Sequence, residues 1–467
     1  MNILFINPPE GEYSPGRSFS YFKSHSPPLG LLYLASILEK EGHKLSIIDF
    51  GAEDYYEEKV IKALPSFDII GLTVNAFNYQ SSKGISKLIK NFNPNLCLII
   101  GGPLCSLSPK QMINDLNADI CVKGEAEHTI SDIIKYSSNK EKLSQIPGIY
   151  FKDKGKIKIG PPEVINEDVD SVPFPARHLV EKYEYGYTAL AKSPSGKFTS
   201  IVTSRGCPFQ CTFCCLKGII KKFRLRSAEN TVNEFIEIDK NYDSVIIMDD
   251  NFFIDKKRAE KIADELIKHK VKLDICIMGV RIDSVEYELF KKLKRAGLSS
   301  VFFGIESGNQ EILDYYKKGI TLDQIKRSLK ICRKLGIYTL GNFIVGSPIE
   351  TSKHIKDTYD FAKKIPLNTS SFSPFRYLKG SDLWKEAYEE GKIKDEEFIL
   401  FTDPNRCLGN FSHDFLKKWS GKASISIYLS PRHLLSEFFL ILLRKDFGEF
   451  KTMYQYLINK ISGKYHY

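Results

Sequence analysis

Long apolar runs are absent from this sequence. The longest candidate, FFLILL at 438–443, is far shorter than the roughly 20 residues that a transmembrane helix needs. Residues 1–10 also lack a basic leader and a small-residue cleavage site, so we expect them to form a first strand and not a signal peptide. The sequence therefore predicts a cytoplasmic protein without a membrane-spanning helix.

The sequence contains one Cys-x-x-Cys pair, Cys211 and Cys214, and lacks a second one. Ten cysteines in a reducing compartment are not expected to form disulfides, which favours metal ligation for clustered cysteines and core packing for isolated ones. Structural zinc usually takes four protein ligands, commonly as two such pairs. Four isolated cysteines in apolar surroundings are predicted to lie in the core: Cys97, Cys121, Cys276 and Cys332.

Positive charge is in excess, but it lacks the pattern of a nucleic-acid module. The net charge is +10, and the segment from Phe415 to the end contains nine Lys or Arg against three Asp or Glu. Aromatic side chains are not interleaved with these charges in a binding pattern, so we expect no nucleic-acid partner. Two interpretations of the tail remain open. One is a helix with a solvated basic face, and the other is peripheral contact with an anionic membrane or an amphiphilic substrate.

The 467 residues of the chain are too many for one ordinary domain. Over 1–145, short β-branched runs alternate with amphipathic helical stretches, which is typical of a doubly wound, Rossmann-like parallel sheet. The predicted strands are NILFIN, KLSIID, DIIGLTV, LCLIIGG and DICVKG. Ligands of such sheets bind beyond the carboxyl ends of the strands. The residues at these ends include Thr73, Gly101, Gly102 and Gly124.

Three further segments follow. Residues 146–195 are rich in Pro, Lys and Gly and are predicted to form a linker with a small hairpin at GIYFKDKGKIKI. Over 196–380, six strand candidates with helical segments between the first five predict a partial (β/α)6 barrel of the TIM type, with its chemistry at the carboxyl ends of the strands. The candidates are FTSIVTS, SVIIMDD, KLDICIMG, SSVFFGIES, YTLGNFIVG and TSSFSPF. Residues 381–467 are predicted to form a small helical C-terminal region.

Four of the ten cysteines fall within nine residues, in the stretch RGCPFQCTFCC at 205–215. This stretch follows the first barrel strand, at the end where catalysis is expected. Cys207, Cys211 and Cys214 can converge on one inorganic centre, whereas Cys215 is predicted to pack elsewhere. An electron-transfer cluster takes a fourth cysteine. Three thiolates therefore leave one iron of a four-iron cluster free to coordinate a substrate.

The spacing Cys-x-x-x-Cys-x-aromatic-Cys resembles that of the radical S-adenosylmethionine (radical SAM) enzymes. The resemblance implies a 4Fe–4S cluster whose open iron binds SAM, and reductive cleavage of SAM to methionine and a 5′-deoxyadenosyl radical. The segments MDDNFF, GIESGNQEIL and GNFIVGSPIET are similar to cofactor-contacting segments of that family. The similarity implies that Asp249, Glu306 and Ser307 contact the ribose and amino group of SAM. It also implies that the backbone around Gly346 contacts the adenine.

A plainer interpretation exists for the acidic residues in these segments. Asp250, Glu306 and Glu350 can cap helices, or they can balance the charge of Arg281, without contacting a cofactor.

The N-terminal region resembles the cobalamin-binding domain that is fused to many radical SAM enzymes. The similar segments are INPP, SPPLGLLYLASILEKEGH, GLTVNAF, IIGGP and VKGEAEHT. Glycines at the strand ends would let the backbone approach a flat macrocycle. The Asp-x-His-x-x-Gly segment that supplies a histidine to cobalt in other cobalamin proteins is absent, and His25 lacks that context. We therefore expect cobalamin without a protein histidine on cobalt; the alternative is a domain that no longer holds cobalamin.

The combination resembles cobalamin-dependent radical SAM methyltransferases. This implies that cobalt(I) takes a methyl group from one SAM, that the radical from a second SAM removes hydrogen from an unactivated carbon of a small-molecule or lipid-like substrate, and that the substrate radical takes the methyl group. An external electron donor such as flavodoxin or ferredoxin is implied as well. The alternatives are a radical SAM cyclase, oxidoreductase or rearrangement enzyme, a non-catalytic redox or cobalamin sensor, and a structural zinc module.

Overall fold

The computed structural model describes residues 1–11, 26–186, 196–431 and 434–435. The chain forms two compact units, Met1–Tyr185 and Gly186–Tyr467. Among the described residues, no helix combines the length and the apolar character needed to cross a bilayer. All ten cysteines are free thiols.

The first unit is built on one seven-stranded sheet. Its strands are β1 Asn2–Asn7, β2 Lys44–Asp49, β3 Ile69–Thr73, β4 Cys97–Gly101, β5 Ile120–Val122, β6 Ile149–Asp153 and β7 Lys156–Ile159. They lie in the order β2-β1-β3-β4-β5-β6-β7. The first five strands are parallel, which confirms the predicted doubly wound sheet. The strand order reverses between β1 and β3, so the ligand crevice of this architecture lies at their carboxyl ends.

Helices connect these strands as the apolar pattern predicts. They are α1 Leu29–Lys40, α2 Glu57–Ala63, α3 Tyr79–Phe92, α4 Pro103–Leu107, α5 Pro109–Asp115, α6 Ile130–Lys135 and α7 Lys140–Leu143. In α1 the sequence LGLLYLASILEK buries seven residues against the sheet. The helix is followed by Gly42, whose φ of +85° is a conformation that glycine adopts readily.

The hairpin at GIYFKDKGKIKI extends this sheet. Strands β6 and β7 pair antiparallel, and β6 also pairs antiparallel with β5. The hairpin turn contains Lys154 and Gly155, both with positive φ. The sheet therefore ends in two antiparallel strands after five parallel ones.

The second unit contains a parallel six-stranded sheet. Its strands are β8 Phe198–Ile201, β11 Ser244–Ile247, β12 Asp274–Arg281, β13 Leu298–Glu306, β14 Tyr338–Val345 and β15 Thr369–Pro374. Two short ribbons lie outside this sheet. In one, β9 Ser204–Arg205 pairs with β10 Arg224–Leu225, and in the other, β16 Arg376–Leu378 pairs with β17 Ile399–Phe401. The six strands lie in the order β15-β14-β13-β12-β11-β8. All six predicted strands are present, and the partial barrel is confirmed.

Helices alternate with these strands and cover the outside of the sheet. They are α8 Leu216–Ile219, α9 Ala228–Asp239, α10 Lys256–Lys268, α11 Tyr287–Arg295, α12 Gln310–Tyr315, α13 Leu322–Lys334, α14 Ser352–Lys364, α15 Asp382–Glu389 and α16 His413–Tyr428. Short 3-10 turns occur at Leu64–Ser66, Val169–Ser171, Arg177–Val180, Phe252–Ile254, Ile282–Ser284 and Pro404–Arg406. Helix α13 begins with a reciprocal capping box between Thr321 and Gln324. The predicted helical C-terminal region is present as α15 and α16, and α16 packs against β15.

Candidate active site

The cysteine loop begins at Gly206, directly after β9. Gly206 has a φ of +83°, and a Cβ there would lie 3.1 Å from the carbonyl oxygen of Lys222. Its N–H donates a hydrogen bond to Oδ2 of Asp250 at 3.0 Å. Asp250 follows β11, so the loop is tied to the carboxyl end of the neighbouring strand.

The middle of the loop is held by Thr212 and Phe213. The N–H of Thr212 donates to the carbonyl of Tyr316 at 3.0 Å, and the carbonyl of Thr212 accepts from the N–H of Leu383 at 3.1 Å. The Phe213 ring packs edge-on against Tyr316 with centroids 4.9 Å apart. These contacts fix the backbone between Cys211 and Cys214.

The three predicted ligands lie together on this loop and are half-buried. Burial raises the pKa of Cys211 and raises that of Cys214 to about 12. Binding to iron requires loss of these protons, since the thiolate is the metal ligand. Cys215 is also half-buried and directly precedes α8. Burial raises its pKa too.

Two cationic side chains approach the cysteine loop, Arg281 from the end of β12 and Lys318 from the connection between α12 and α13. The guanidinium of Arg281, at the end of β12, lies 3.7 Å from the ring centroid of Phe209. Lys318 and Arg281 both oppose the effect of burial on the pKa of Cys211. Arg281 donates to Asp283, but its Nη1 is buried and has no partner among the described residues. A positive environment with an unused donor fits thiolates and an anionic cluster ligand.

Lys318 and Glu306 form a buried ion pair. Nζ of Lys318 lies 2.8 Å from Oε1 of Glu306, and both side chains are less than one-tenth exposed. Burial lowers the pKa of Lys318, but Glu306 and Cys211 raise it more, so the pKa is raised and Lys318 carries its charge. The hypothesis that Glu306 balances Arg281 is therefore wrong, because Glu306 pairs with Lys318 and Arg281 pairs with Asp283.

The described residues contain no group of three or more His, Cys, Asp or Glu side chains that is placed to hold a single metal ion. In an iron–sulfur cluster each cysteine binds a different iron, so the sulfurs of such a site do not meet at one point.

Asp249 lies at the end of β11 and is almost fully buried. Its carboxylate accepts hydrogen bonds of 2.6 Å from the N–H and the hydroxyl of Thr203 and from the hydroxyl of Ser204. Burial raises its pKa, and these hydrogen bonds oppose the rise. Asp249 thus connects β11 to the segment that leads into the cysteine loop.

Glu306 and Ser307 stand at the carboxyl end of β13. Glu306 has a φ of +66°, which is strained for a residue with a Cβ and is typical of functional positions. Ser307 is fully buried, and its hydroxyl interacts with that of Thr358 at 3.0 Å and accepts from the N–H of Asn309. The structure brings Glu306 next to the cysteine loop, while Ser307 shapes the turn that follows.

Gly346 forms the turn after β14. It has a φ of +89°, and a Cβ there would lie 2.1 Å from Cδ1 of Leu416. The carboxylate of Glu350 accepts hydrogen bonds from the N–H groups of both Gly346 and Ser347. Burial raises the pKa of Glu350 to about 7, although these hydrogen bonds lower it. Glu350 therefore stabilises this turn and does not cap a helix, since the N-cap of α14 is Thr351.

The predicted cobalamin contacts lie at the carboxyl ends of β3, β4 and β5. Thr73, Gly101, Gly102 and Gly124 are all half-exposed. At Gly101 the nearest atom to a Cβ is 4.0 Å away. At Gly102, with a φ of +108°, a Cβ would lie 2.8 Å from the carbonyl oxygen of Val74, so glycine is required by the backbone itself. Of the three glycines, Gly101 leaves the most open space, which would let a flat macrocycle approach this edge.

Sequence reasoning missed a buried polar network at the end of β2. Asp49 accepts hydrogen bonds from the side chain of Asn7, the N–H of Gly51 and the hydroxyl of Tyr185. Burial raises the pKa of Asp49, and these hydrogen bonds oppose the rise. An Asp that ends a β-branched run is the local sequence feature that points to it, but its partner Tyr185 is 136 residues away.

Other predictions concern the isolated cysteines, His25 and the basic tail. Of the four cysteines expected in the core, Cys121 and Cys332 are buried, whereas Cys97 and Cys276 are only half-buried. His25 and most of the basic tail lie outside the described residues.

Two family models match the chain. Residues 201–362 match the Radical SAM superfamily, and residues 20–134 match the B12 binding domain. An uncharacterised methyltransferase of Pyrococcus horikoshii is 31% identical, over 97% of this chain and 99% of the relative. A cytidylyl-2-hydroxyethylphosphonate methyltransferase of Streptomyces wedmorensis is 28% identical, over 85% of this chain and 83% of the relative.

Solved structures share the fold. The radical SAM methyltransferase TsrM from Kitasatospora setae, with cobalamin and a 4Fe–4S cluster bound, superimposes with a TM-score of 0.68 at 18% identity, covering 83% of this chain and 78% of that chain. The cobalamin-dependent radical enzyme OxsB, with aqua-cobalamin and SAM bound, gives a TM-score of 0.70 at 20% identity, covering 98% of this chain and 70% of that chain.

This chain belongs to the cobalamin-binding radical SAM enzymes of the methyltransferase type. Its cofactors are a 4Fe–4S cluster, SAM and cobalamin.

Proposed function

We propose that this enzyme transfers a methyl group to an unactivated carbon of a small-molecule or lipid-like substrate. The observation that carries the proposal is the cysteine loop, where Lys318 and Arg281 act on Cys211 and where Nη1 of Arg281 has no partner in the described part of the chain. Three thiolates leave one iron without a protein ligand, and the nearby cations provide a place for a carboxylate. SAM has such a carboxylate.

The names of relatives support methyl transfer and vary in substrate. Hopanoid C-3 methylase of Methylococcus capsulatus is 24% identical over 82% of this chain and 72% of the relative. A second TsrM structure holds tryptophan and a SAM analogue. Because these substrates differ so widely, we propose only a broad class, a small-molecule or lipid-like substrate, and no particular molecule.

The residues of this chain hold and align the reactants. We propose that Cys207, Cys211 and Cys214 bind the cluster, that Glu306 and Lys318 fix the charge next to it, and that the Gly346 turn supports the adenine of SAM. When bound, the cluster and SAM supply the deoxyadenosyl radical, and cobalamin supplies the methyl group. We propose that Asp249 acts on the cysteine loop indirectly. It accepts hydrogen bonds from Thr203 and Ser204 and so fixes the segment that leads into the loop.

We propose Thr73, Gly101, Gly102 and Gly124 as the edge that receives cobalamin. The open space at Gly101 supports this role. We further propose a reducing, cytoplasmic location, which would keep the three thiols free to bind iron. The electron donor is proposed to be a flavodoxin or a ferredoxin. Peripheral membrane contact through the basic tail remains a proposal as well.

Turnover stoichiometry tests the proposed function. Reduced, cluster-loaded enzyme with cobalamin, SAM and substrate should consume two SAM per product. It should release one 5′-deoxyadenosine and one S-adenosylhomocysteine, because one SAM gives the radical and the other gives the methyl group. Substrate that is deuterated at the reacting carbon should transfer its label to 5′-deoxyadenosine. Both nucleosides can be counted by mass spectrometry.

Relatives that are named cyclases favour a second candidate function, a radical SAM cyclase or oxidoreductase. An anaerobic magnesium-protoporphyrin IX monomethyl ester cyclase of Rubrivivax gelatinosus is 25% identical over 90% of this chain and 78% of the relative. A cyclase or oxidoreductase forms 5′-deoxyadenosine without S-adenosylhomocysteine. Product formation with the first nucleoside alone would replace the methyltransferase proposal by this one.

A further inference from the structure

Positive charge is unevenly distributed over the outer helices of the barrel. Helices α11, α13 and α14 together contain 13 Lys or Arg against four Asp or Glu. Helix α9, which packs on α10 and not on the three basic helices, contains four acidic residues and no basic one. We call the surface of α11, α13 and α14 the basic face. The excess of positive charge among these outer helices is therefore largest on the basic face.

The basic face is continuous and includes a groove. The Lys334 ammonium of α13 lies 4.8 Å from the ring centroid of Tyr287 in α11, so these two helices are neighbours. A groove of about 570 Å³ lies between α13 and α14. Its charged lining residues are Lys326, Lys330, Lys364, Asp357 and Asp360. The three lysines are exposed, and Lys330 and Lys364 form no hydrogen bond or ion pair in the described part of the chain.

The floor of the groove lies close in the chain to Glu306, which ends β13. Gly308 lines the groove, and a Cβ there would lie 2.5 Å from Cβ of Phe361 in α14. Gly308 is two residues after Glu306, which places their Cα atoms at most about 7 Å apart. Glu306 interacts electrostatically with Cys211. The groove thus lies next to a residue whose charge acts on the cysteine loop.

We propose that the basic face is the docking site of an acidic one-electron carrier protein, with the groove between α13 and α14 at its centre. Charge complementarity argues for this occupant, because clustered lysines steer an acidic partner and hold it in register. Phe361 is the only aromatic residue among the described lining residues and is buried, so the groove offers no ring for stacking nucleic-acid bases. The inference rests on the proposed function, which needs an electron.

The electron balance is simple. Each productive encounter oxidises the carrier by one electron, and this electron is consumed when the carbon–sulfur bond of SAM breaks to give methionine and the deoxyadenosyl radical. A carrier that docks in the groove lies against α13 and α14, near the turn that follows β13.

Binding affinity is the first test and does not depend on turnover. A purified acidic flavodoxin is titrated into the full-length protein by calorimetry at low and high salt. The variant Lys326→Glu/Lys330→Glu/Lys364→Glu should raise the dissociation constant by about tenfold or more at low salt. The control Lys257→Glu/Lys261→Glu/Lys272→Glu changes the net charge equally at exposed sites away from the groove. It should change the dissociation constant by less than about twofold.

The second measurement compares two electron sources. With reduced flavodoxin, the groove variant should form 5′-deoxyadenosine more slowly than the control variant; with dithionite, the two rates should be equal. Equal flavodoxin affinities for both variants would overturn the docking site. If wild type forms no 5′-deoxyadenosine with dithionite, the proposed function fails while the binding result stands. If the groove lysines prove necessary for binding a single-stranded RNA oligonucleotide but not flavodoxin, the basic face is a nucleic-acid site and the inference is wrong.

Discussion

Cys214 and Cys215 are adjacent in the sequence but are expected to behave differently. Cys214 lies on the loop with Cys207 and Cys211, whereas Cys215 leads into α8. Cys207→Ala, Cys211→Ala and Cys214→Ala should each abolish the reconstituted cluster, because two thiolates are too few to hold it. Cys215→Ala should retain it. Iron and acid-labile sulfide per chain provide the measurement, and a loss of iron in Cys215→Ala equal to that in the others would contradict the three-ligand assignment.

Glu350 should make stability depend on pH. Burial raises its pKa in the folded state to about 7 from an ordinary value of 4.5. Between these values the unfolded chain loses the proton and the folded chain keeps it, so stability falls as pH rises through this window. The full loss is about 3 kcal/mol at about 1.4 kcal/mol per pH unit. Urea unfolding from pH 4 to 8 should therefore show wild type losing stability relative to Glu350→Gln.

The control for this pH effect is Glu288→Gln, since the Glu288 side chain is 82% exposed. It should leave the pH profile of wild type unchanged. Parallel profiles of wild type and Glu350→Gln would show that Glu350 does not keep its proton in the folded state.

At the residue scale, the cysteines were predictable because their spacing is local. The charges around the cysteines were not predictable, because Arg281 reaches the loop from the end of β12 and Lys318 from the connection between α12 and α13. Asp249 was predicted to be a site residue from its segment, and this stays a prediction. Only the fold shows that its carboxylate is engaged by Thr203 and Ser204.

At the scale of secondary-structure elements, helix α16 packs Leu416 against the turn that follows β14. Leu416 of α16 is fully buried and fills the space beside Gly346. Gly346→Ala combines an unfavourable positive φ with a clash, so it should destabilise the protein by about 2–5 kcal/mol. Gly336→Ala is the matched control, because φ is +64° and no atom lies within 4 Å of its Cβ. It should destabilise by only about 1–2 kcal/mol.

Denaturant unfolding of both glycine variants measures this difference. The double variant Gly346→Ala/Leu416→Ala separates the two causes, because it removes the clash while keeping the strained φ. Equal destabilisation by Gly346→Ala and Gly336→Ala would show that α16 shifts to accommodate the added methyl group.

The long elements follow from periodicity in the sequence. Six β-branched runs give the six barrel strands, and the alternation in the first 145 residues gives five parallel strands. The two-residue strands β9 and β10 carry no periodic pattern of their own. Nor does the sequence of the hairpin show that β6 pairs with β5, because that pairing is long-range and depends on an edge that the rest of the sheet creates.

For the whole molecule, the two units should report separately on cofactor binding. We expect cobalamin to bind the first unit without a histidine on cobalt, because the Asp-x-His-x-x-Gly segment is absent. Paramagnetic resonance of the cobalt(II) form should show no nitrogen superhyperfine splitting from a protein histidine. His25→Ala and His128→Ala should leave the spectrum unchanged. A change in either variant would identify a histidine ligand, and failure to retain any cobalamin would contradict the domain assignment.

Family membership at this scale was predictable from short segments, since the cysteine spacing and the glycine strand ends lie in separate parts of the chain. Substrate identity was not, because the residues that contact a substrate come from many strand ends and loops, and no single segment encodes them.

The antiparallel hairpin at the edge of the first sheet has a consequence for solubility. An exposed edge strand can recruit another chain by backbone pairing, and lysines on the edge oppose this. Strand β7 reads KIKI, with Lys156 and Lys158 exposed at the last position of the sheet. Two positive charges in a strand of four residues make a second β7 a poor partner. The hairpin thus protects a largely parallel sheet from growing into aggregates.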